Sequence, residues 1–314
     1  MATKVRDILL ATFVVMLCVG CGGAGRKVKA ESNAQPAVKE FRLPEIPSSL
    51  QGEAAREYLR DHMWDNFDFS DTLQISTLDR DLLMRVFLMY VVPMTTTEAQ
   101  IYLPQLMQKA SVSKPMFEYF LSLAERVLHD PNSPVRDDEK YIPLLQYVVA
   151  SNVLDEYEKM PYEHDLKIAQ QNRLGHKAAD FAFTTADGCT RRLWDLKANY
   201  TLIFISNPDC PMCRDVREQI LASAIISEVV NNGILKIVVI YPDTDLILWR
   251  EHLQDYPASW INAYDKGQVI SSEELYDLRA IPAMYLLDEQ KRVLAKDCTD
   301  VGYIENLIVE NKSL

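Results

Sequence analysis

The sequence predicts an α+β chain of two domains, an N-terminal all-α module followed by an α/β sandwich. Three observations carry this. Residues 50–172 show helical periodicity with little strand signal. From Gly175 onward, short apolar runs alternate with helical stretches. Between one such run and the helix after it stands Cys210-Pro211-Met212-Cys213. A length of 314 residues leaves room for two domains of roughly 150 residues each. Apolar residues are 48% and charged residues 25%, an ordinary globular balance that excludes disorder throughout. Only one apolar run nears spanning length, so a multi-pass membrane protein is excluded. The net charge of −12 argues against nucleic acid or anionic lipid as the main partner. Six cysteines are too few to staple a scaffold of this size.

The first segment reads as an address. Lys4 and Arg6 precede an apolar run from Ile8 to Val19, followed by Cys18-Val19-Gly20-Cys21. A basic end, a short apolar core and a small residue before the cut are the layout of a secretory signal peptide over 1–20. A cysteine directly after the small residue resembles a bacterial lipobox, with Cys21 as the lipidated first residue of the mature chain. Cys18 departs from that pattern, where leucine is usual, and a plain cleaved signal or an uncleaved anchor are the alternatives. Residues 21–49 are polar with Pro36, Pro44 and Pro47, as a flexible tether would be. The expected location is the cell envelope, on a periplasm-facing lipoprotein attached to a membrane, where thiols meet oxidising conditions.

In residues 50–172, Glu53 to Trp64 is a candidate first helix. Asp79 to Val92 carries Leu82, Leu83, Val86, Phe87 and Tyr90 in an i, i+3, i+4 stripe. Thr95 and Glu98 form a capping box for a helix ending near Ala110. Ser113 caps the next, with Pro115 tolerated in its first turn and Phe117, Phe120, Leu121, Ala124 and Leu128 on its buried face. His129-Asp130-Pro131-Asn132-Ser133-Pro134 is a break, after which Tyr141, Leu144, Leu145, Val148 and Val149 mark another helix. Five or six short helices result. Trp64, Phe67 and Phe69 are expected to cap this core, with a binding surface as the alternative. His62, His129 and His164 have no metal-ligand spacing, and nothing assigns the module a role.

Residues 173–314 change pattern. Ala179–Thr184 and Thr190–Leu193 are extended stretches around a turn at Asp187-Gly188. Tyr200 to Ser206 and Leu235 to Tyr241 are nearly continuous apolar runs, as fully buried parallel strands require. A helix is predicted from Pro211 to Asn231, with helical pieces over Asp245–Gln254 and Ser272–Asp277. Ala283–Leu287 and Arg292–Ala295 are strands, and Val301–Glu310 is a closing helix.

The cysteine pair gains force from its position. A thiol at a helix N-terminus faces unpaired N–H groups and the positive end of the dipole, which favour thiolate. Pro211 suits the first helical position, where its missing N–H loses no partner. A spacing of two residues on a helical turn keeps the sulfurs within reach, so Cys213 can resolve a mixed disulfide on Cys210. Half a zinc site, a copper-binding thiol pair and a redox-silent structural disulfide are the competing readings. Ile281-Pro282 precedes an apolar strand, and an X-Pro bond is the type that can be cis. Cys189 and Cys298 are unassigned: a second bridge, or two small buried apolar residues.

Together these residues resemble the thioredoxin superfamily, and most of all its membrane-anchored, extracytoplasmic TlpA/ResA type. Gly175-His-Lys-Ala-Ala-Asp-Phe181 is similar to that group's opening motif G-x-x-A-P-D-F, with Ala179 in place of proline. Gly188, Leu193, Leu196, the apolar strand, C-P-M-C and Ile281-Pro282 follow in family order over residues 172–314. The region before them resembles an uncharacterised module found ahead of thioredoxin domains in Bacteroidota-type lipoproteins. The resemblance implies a thioredoxin-like sandwich, Cys210 as nucleophile, Cys213 as resolving cysteine, and Pro282 as a cis-proline that, with the backbone of Ile281, binds substrate. It implies no bound cofactor or metal, protein disulfides or dithiols as substrates, and a redox partner that resets the pair. Two departures stand out. Asp209 replaces the usual tryptophan, and Phe204 replaces the buried acid six residues before the first cysteine. The expected activity is thiol–disulfide exchange; the alternative is a non-enzymatic envelope binding protein on the same scaffold.

Overall fold

β3 (Tyr200–Ile205) organises the C-terminal half. Every residue in it is buried, so its two faces need two covers. Leu202 and Phe204 point into one core with Val216, Ile220, Ile237 and Ile304. Ile203 and Ile205 point into the other, with Phe181, Val238, Tyr276 and Tyr285. The computed structural model describes residues 41–312. The expected signal peptide, Cys21 and the tether up to residue 40 lie outside the described residues.

The helical half contains α1 (Glu53–His62), α2 (Gln74–Thr77), α3 (Arg80–Val91), α4 (Thr96–Ala110) and α5 (Lys114–Ala124). A π-turn at Glu125–His129 follows, then α6 (Asp138–Ala150) and α7 (Glu156–Ala169). The expected caps are in place: Thr95 and Glu98 close a reciprocal box on α4, and Ser113 accepts the Met116 N–H on α5. Trp64 and Phe67 are buried against Phe120, with ring centroids at 5.1 and 5.4 Å. Phe41 packs on the same two rings. The folded body thus already includes residue 41, which corrects the expectation of a flexible tether running to 49. α7 goes beyond the expected helices. Its buried residues are only Ile168 and Ala169, too few to leave an apolar stripe in the sequence.

The C-terminal half contains β1 (Ala182–Thr185), β2 (Thr190–Arg192), β3, α8 (Pro211–Ala222), α9 (Ala224–Asn231) and β4 (Leu235–Tyr241). Then come α10 (Leu246–Glu251), β5 (Ile261–Tyr264), α11 (Val269–Ser272), β6 (Ala283–Leu287), β7 (Val293–Cys298) and α12 (Val301–Lys312). The sheet order is β2-β1-β5-β4-β3-β6-β7. β3, β4 and β5 are parallel; β6 runs antiparallel to β3, and β7 to β6. The architecture is the expected all-α module followed by a thioredoxin-like sandwich, with local differences. The single helix expected over 211–231 breaks at Ser223, whose hydroxyl caps α9 through the Ile226 N–H. The helical piece expected at 272–277 lies earlier, at Val269–Ser272. β5 was not expected. Its Ile-Asn-Ala-Tyr is short and half-polar, and pairing between β4 and β1 is what makes it a strand.

The two halves meet through buried charge. Arg136, in the loop before α6, bonds Asp277 at 3.0 Å and Asp297 at 2.5 Å. Lys296 bonds Asp138 at 2.7 Å and the Ala169 carbonyl at 2.8 Å. Arg279 reaches both Asp277 and His129. Burial opposes the charge on Asp277, but hydrogen bonds from Arg279 and the nearby arginine charges outweigh it and bring its pKa down to about 2. For Asp297, burial wins over Arg136 and, with the like charges of Asp277 and Asp138, lifts the pKa to about 6.

A testable pH dependence follows from Asp297. The folded state holds its proton more tightly than the unfolded chain, where a carboxyl titrates near ~4. That stabilisation is full below this value and is lost as pH rises through about 6. Asp277 has the opposite sign: its contribution is present above ~4 and is lost toward pH 2. The difference in urea-unfolding free energy between wild type and Asp297→Asn should therefore fall from about pH 4 to about pH 7 and then level off. A flat difference across that window would contradict the assignment.

Candidate active site

The chain leaves β3 at Ser206, and an Asx turn re-aims it: the Asn207 side chain accepts the Asp209 N–H at 2.9 Å. The Cys210 N–H then donates to the Asn207 carbonyl at 3.1 Å. Cys210 is the N-cap of α8 with extended backbone (φ −87°, ψ 114°), and Pro211 occupies the first helical position as expected. The Cys210 sulfur accepts the Cys213 N–H at 3.2 Å, where a Ser or Asp oxygen usually caps a helix. Its thiol lies 3.6 Å from the Ile281 carbonyl. The Ile281–Pro282 bond is cis. The structure thus brings Cys210, Cys213, Ile281 and Pro282 together from places about 70 residues apart in sequence.

The two sulfurs differ in access. Cys210 is half-buried; Cys213 is 2% exposed. Burial, then the hydrogen bond to Cys210, pushes the Cys213 thiol up to about 12, against hydrogen bonds with the Asn207 backbone and the Ser206 side chain. At neutral pH Cys213 is therefore a protonated thiol behind an accessible one. Asp209, directly before Cys210, is exposed.

Phe204, where a buried acid was missing, is a core residue. The polar group beside Cys213 instead is Ser206, whose hydroxyl lies 3.2 Å from that of Tyr256. The Tyr256 ring sits under the Arg217 guanidinium at 5.3 Å, and Arg217 pairs with Asp255 at 3.4 Å. His252 closes the chain on Asp255 at 2.7 Å. These residues were missed in the sequence. Tyr256 lies 43 positions beyond Cys213, in the irregular stretch between α10 and β5, and no periodicity or motif marks it.

The other motifs have structural employment. Asp180 accepts from the Trp194 N–H and Arg192 side chain, and Phe181 is buried. Cys189 and Cys298 are free. Cys189 is exposed at the Asp187-Gly188 turn, whereas Cys298 stands opposite Met284, its thiol pushed up to about 12 by burial. Among the described residues, no three His, Cys, Asp or Glu are grouped to hold a metal ion. No helix among them is long and apolar enough to cross a membrane.

Residues 20–172 match the model of a family described as a domain of unknown function, DUF5106. No curated protein matches the chain. Among solved structures, the C-terminal domain of an uncharacterised protein from Bacteroides fragilis is 43% identical, with a TM-score of 0.43 over 44% of this chain and 98% of that one. A thioredoxin domain of a thiol-disulfide oxidoreductase from Bacteroides vulgatus is 18% identical, with a TM-score of 0.38 over 45% and 97%. A thioredoxin-like protein from Bacteroides caccae is 39% identical with a TM-score of 0.82, over 87% of this chain and 99% of that one. That likeness spans both the helical module and the sandwich, and on it the chain belongs to the thioredoxin-like proteins.

Proposed function

We propose that this protein is a thiol–disulfide oxidoreductase of the cell envelope, tethered through a lipid on Cys21, exchanging disulfides with protein partners. The observation that carries the reading is the asymmetry of the pair. Cys210 is reachable at a helix N-terminus and is cradled by the Cys213 N–H and the Ile281 carbonyl. Cys213 is buried behind it and held protonated. The envelope location and the lipid rest on the sequence of the first 21 residues.

The reaction follows from that asymmetry. The Cys210 thiolate attacks one sulfur of a partner disulfide. A new S–S bond forms, and the partner's other sulfur leaves as a thiolate and takes up a proton. The Cys213 thiol then attacks the Cys210 sulfur while its proton is relayed through the Ser206 and Tyr256 hydroxyls, each donating one proton as it accepts another, to solvent water; the partner's second sulfur is expelled as a thiolate and takes up a proton from water. Two electrons have passed to the partner, and a Cys210–Cys213 disulfide remains. A dithiol redox partner restores it by the same steps. With the site kept oxidised, the sequence runs in reverse and donates a disulfide. The Ile281 and Pro282 backbone lines the place where the partner chain lies beside Cys210.

Insulin-disulfide reduction tests the assignment. Cys210→Ala should lose turnover altogether, whereas Cys213→Ala should accumulate mixed disulfides with its substrates, visible on non-reducing gels. The potential of the pair should fall within roughly −120 to −270 mV; a value well below about −300 mV would make it a structural bridge in a binding protein. Tyr256→Phe should slow decay of the mixed disulfide by about tenfold or more, without slowing its formation. Equal decay rates in stopped-flow quench experiments would remove Tyr256 from the proton path.

A further inference from the structure

A groove of about 710 Å³ opens beside the exchange site, and only one of its walls belongs to the sandwich. That wall carries Met212, between the two cysteines, and the Ile281–Pro282 segment whose carbonyl meets Cys210. The floor is the end of β7 and the first turn of α12. The facing wall is the helical module's loop from Pro131 to Glu139. This loop is fixed in place. The Ser133 hydroxyl donates to the Val127 carbonyl at 2.5 Å, the Asp137 N–H donates to the Leu128 carbonyl at 3.0 Å, and Arg136 is anchored on Asp277 and Asp297. The groove is therefore a preformed slot, and Met212 and Ile281, which line it, are neighbours of the Cys210 sulfur.

Its charge selects an occupant. The two cations in its lining are consumed internally: Arg136 by Asp277 and Asp297, Lys296 by Asp138. Glu139 is taken by Arg173, and two carboxylates open to solvent stand at the rim. Asp137 is one-third exposed, caps α6 through the Lys140 N–H at 3.1 Å and shares its charge with the Lys140 ammonium at 3.6 Å. Asp300 is exposed and accepts the Tyr303 N–H at 3.1 Å at the start of α12, with no cationic partner among the described residues. Asp209, exposed directly before Cys210, adds the same sign at the site.

We infer that the helical module supplies the second wall of the docking groove, which takes an extended segment of a disulfide-bearing partner protein with basic residues flanking its cysteine. This rests on the exchange reading above and deepens it, because it makes the N-terminal half the part that selects the partner. Opposite charges across such a rim act mainly on encounter and orientation, so the preference should weaken as ionic strength rises.

The test uses the full-length protein and three disulfides. Two are peptides of equal length presented as thionitrobenzoate mixed disulfides, one with lysines around its cysteine and one with glutamates. The third is hydroxyethyl disulfide, which is too small to span the groove. Rates on the peptides are normalised to those with dithiothreitol, which corrects for their intrinsic reactivity. The lysine peptide should react about tenfold faster than the glutamate peptide at low salt. Asp137→Asn should lower that ratio about threefold, and Asp137→Asn with Asp300→Asn should bring it near unity. Asparagine caps helices as well as aspartate does, so both helix starts are kept. Turnover of hydroxyethyl disulfide should be unchanged in both variants. Equal wild-type rates on the two peptides, or a ratio untouched by Asp137→Asn, with hydroxyethyl disulfide still reduced, would overturn the docking inference and leave the exchange reading standing. Failure to reduce any of the three would overturn the exchange reading, and the docking inference with it.

Discussion

The contact between the Cys210 sulfur and the first turn of α8 is the constraint on which the site depends. A buried strand must end where its backbone can turn into a helix, and the first N–H groups of that helix need acceptors. Here one acceptor is a sulfur rather than an oxygen. The same geometry that completes the helix start holds the thiol at the surface, facing the Ile281 carbonyl, and sets the second cysteine one turn deeper, where water does not reach. Accessibility on one sulfur and burial on the other come from a single local arrangement.

Behind that pair, the fold has replaced an acid with hydroxyls. Phe204 serves the packing of the sheet, and the polar function near Cys213 passes to Ser206 and Tyr256, which belong to different elements. Tyr256 is positioned by Arg217 above its ring, and Arg217 in turn by Asp255. A hydroxyl pair carries no charge at neutral pH, so it costs less to bury than a carboxylate beside an apolar core.

The interface between the helical module and the sandwich is built differently from either core. Arg136, Asp138, Asp277, Asp297 and Lys296 are largely desolvated and paired across it, and Arg279 reaches across it to His129. Buried ion pairs add little net stability over apolar packing, but a partner removed leaves an uncompensated charge. Such an interface fixes orientation more than it adds stability. It holds the loop before α6 against the cis-proline segment, so the groove between them has a defined shape.

Several parts of this protein were legible in the sequence because each is a local or periodic signal. The buried runs at 200–206 and 235–241, the Thr95–Glu98 box, the Ser113 and Pro115 start and the Cys210-Pro211 junction are read from neighbours a few residues apart, and the structure places them as expected. β5 and α7 escaped because their identity comes from what they pack against: a four-residue half-polar segment is a strand only between two others, and a helix that buries two residues leaves no stripe. The sequence by itself determined the fold class, the cysteine pair and the helix end that presents it, since backbone hydrogen bonding and side-chain periodicity act over a turn or two. Only the tertiary structure decided which groups stand behind Cys213, which arginine joins the halves, and that residues 131–139 face the cis-proline. Those contacts join positions about 40 to 160 residues apart, and they are set by chain packing rather than by any short-range pattern.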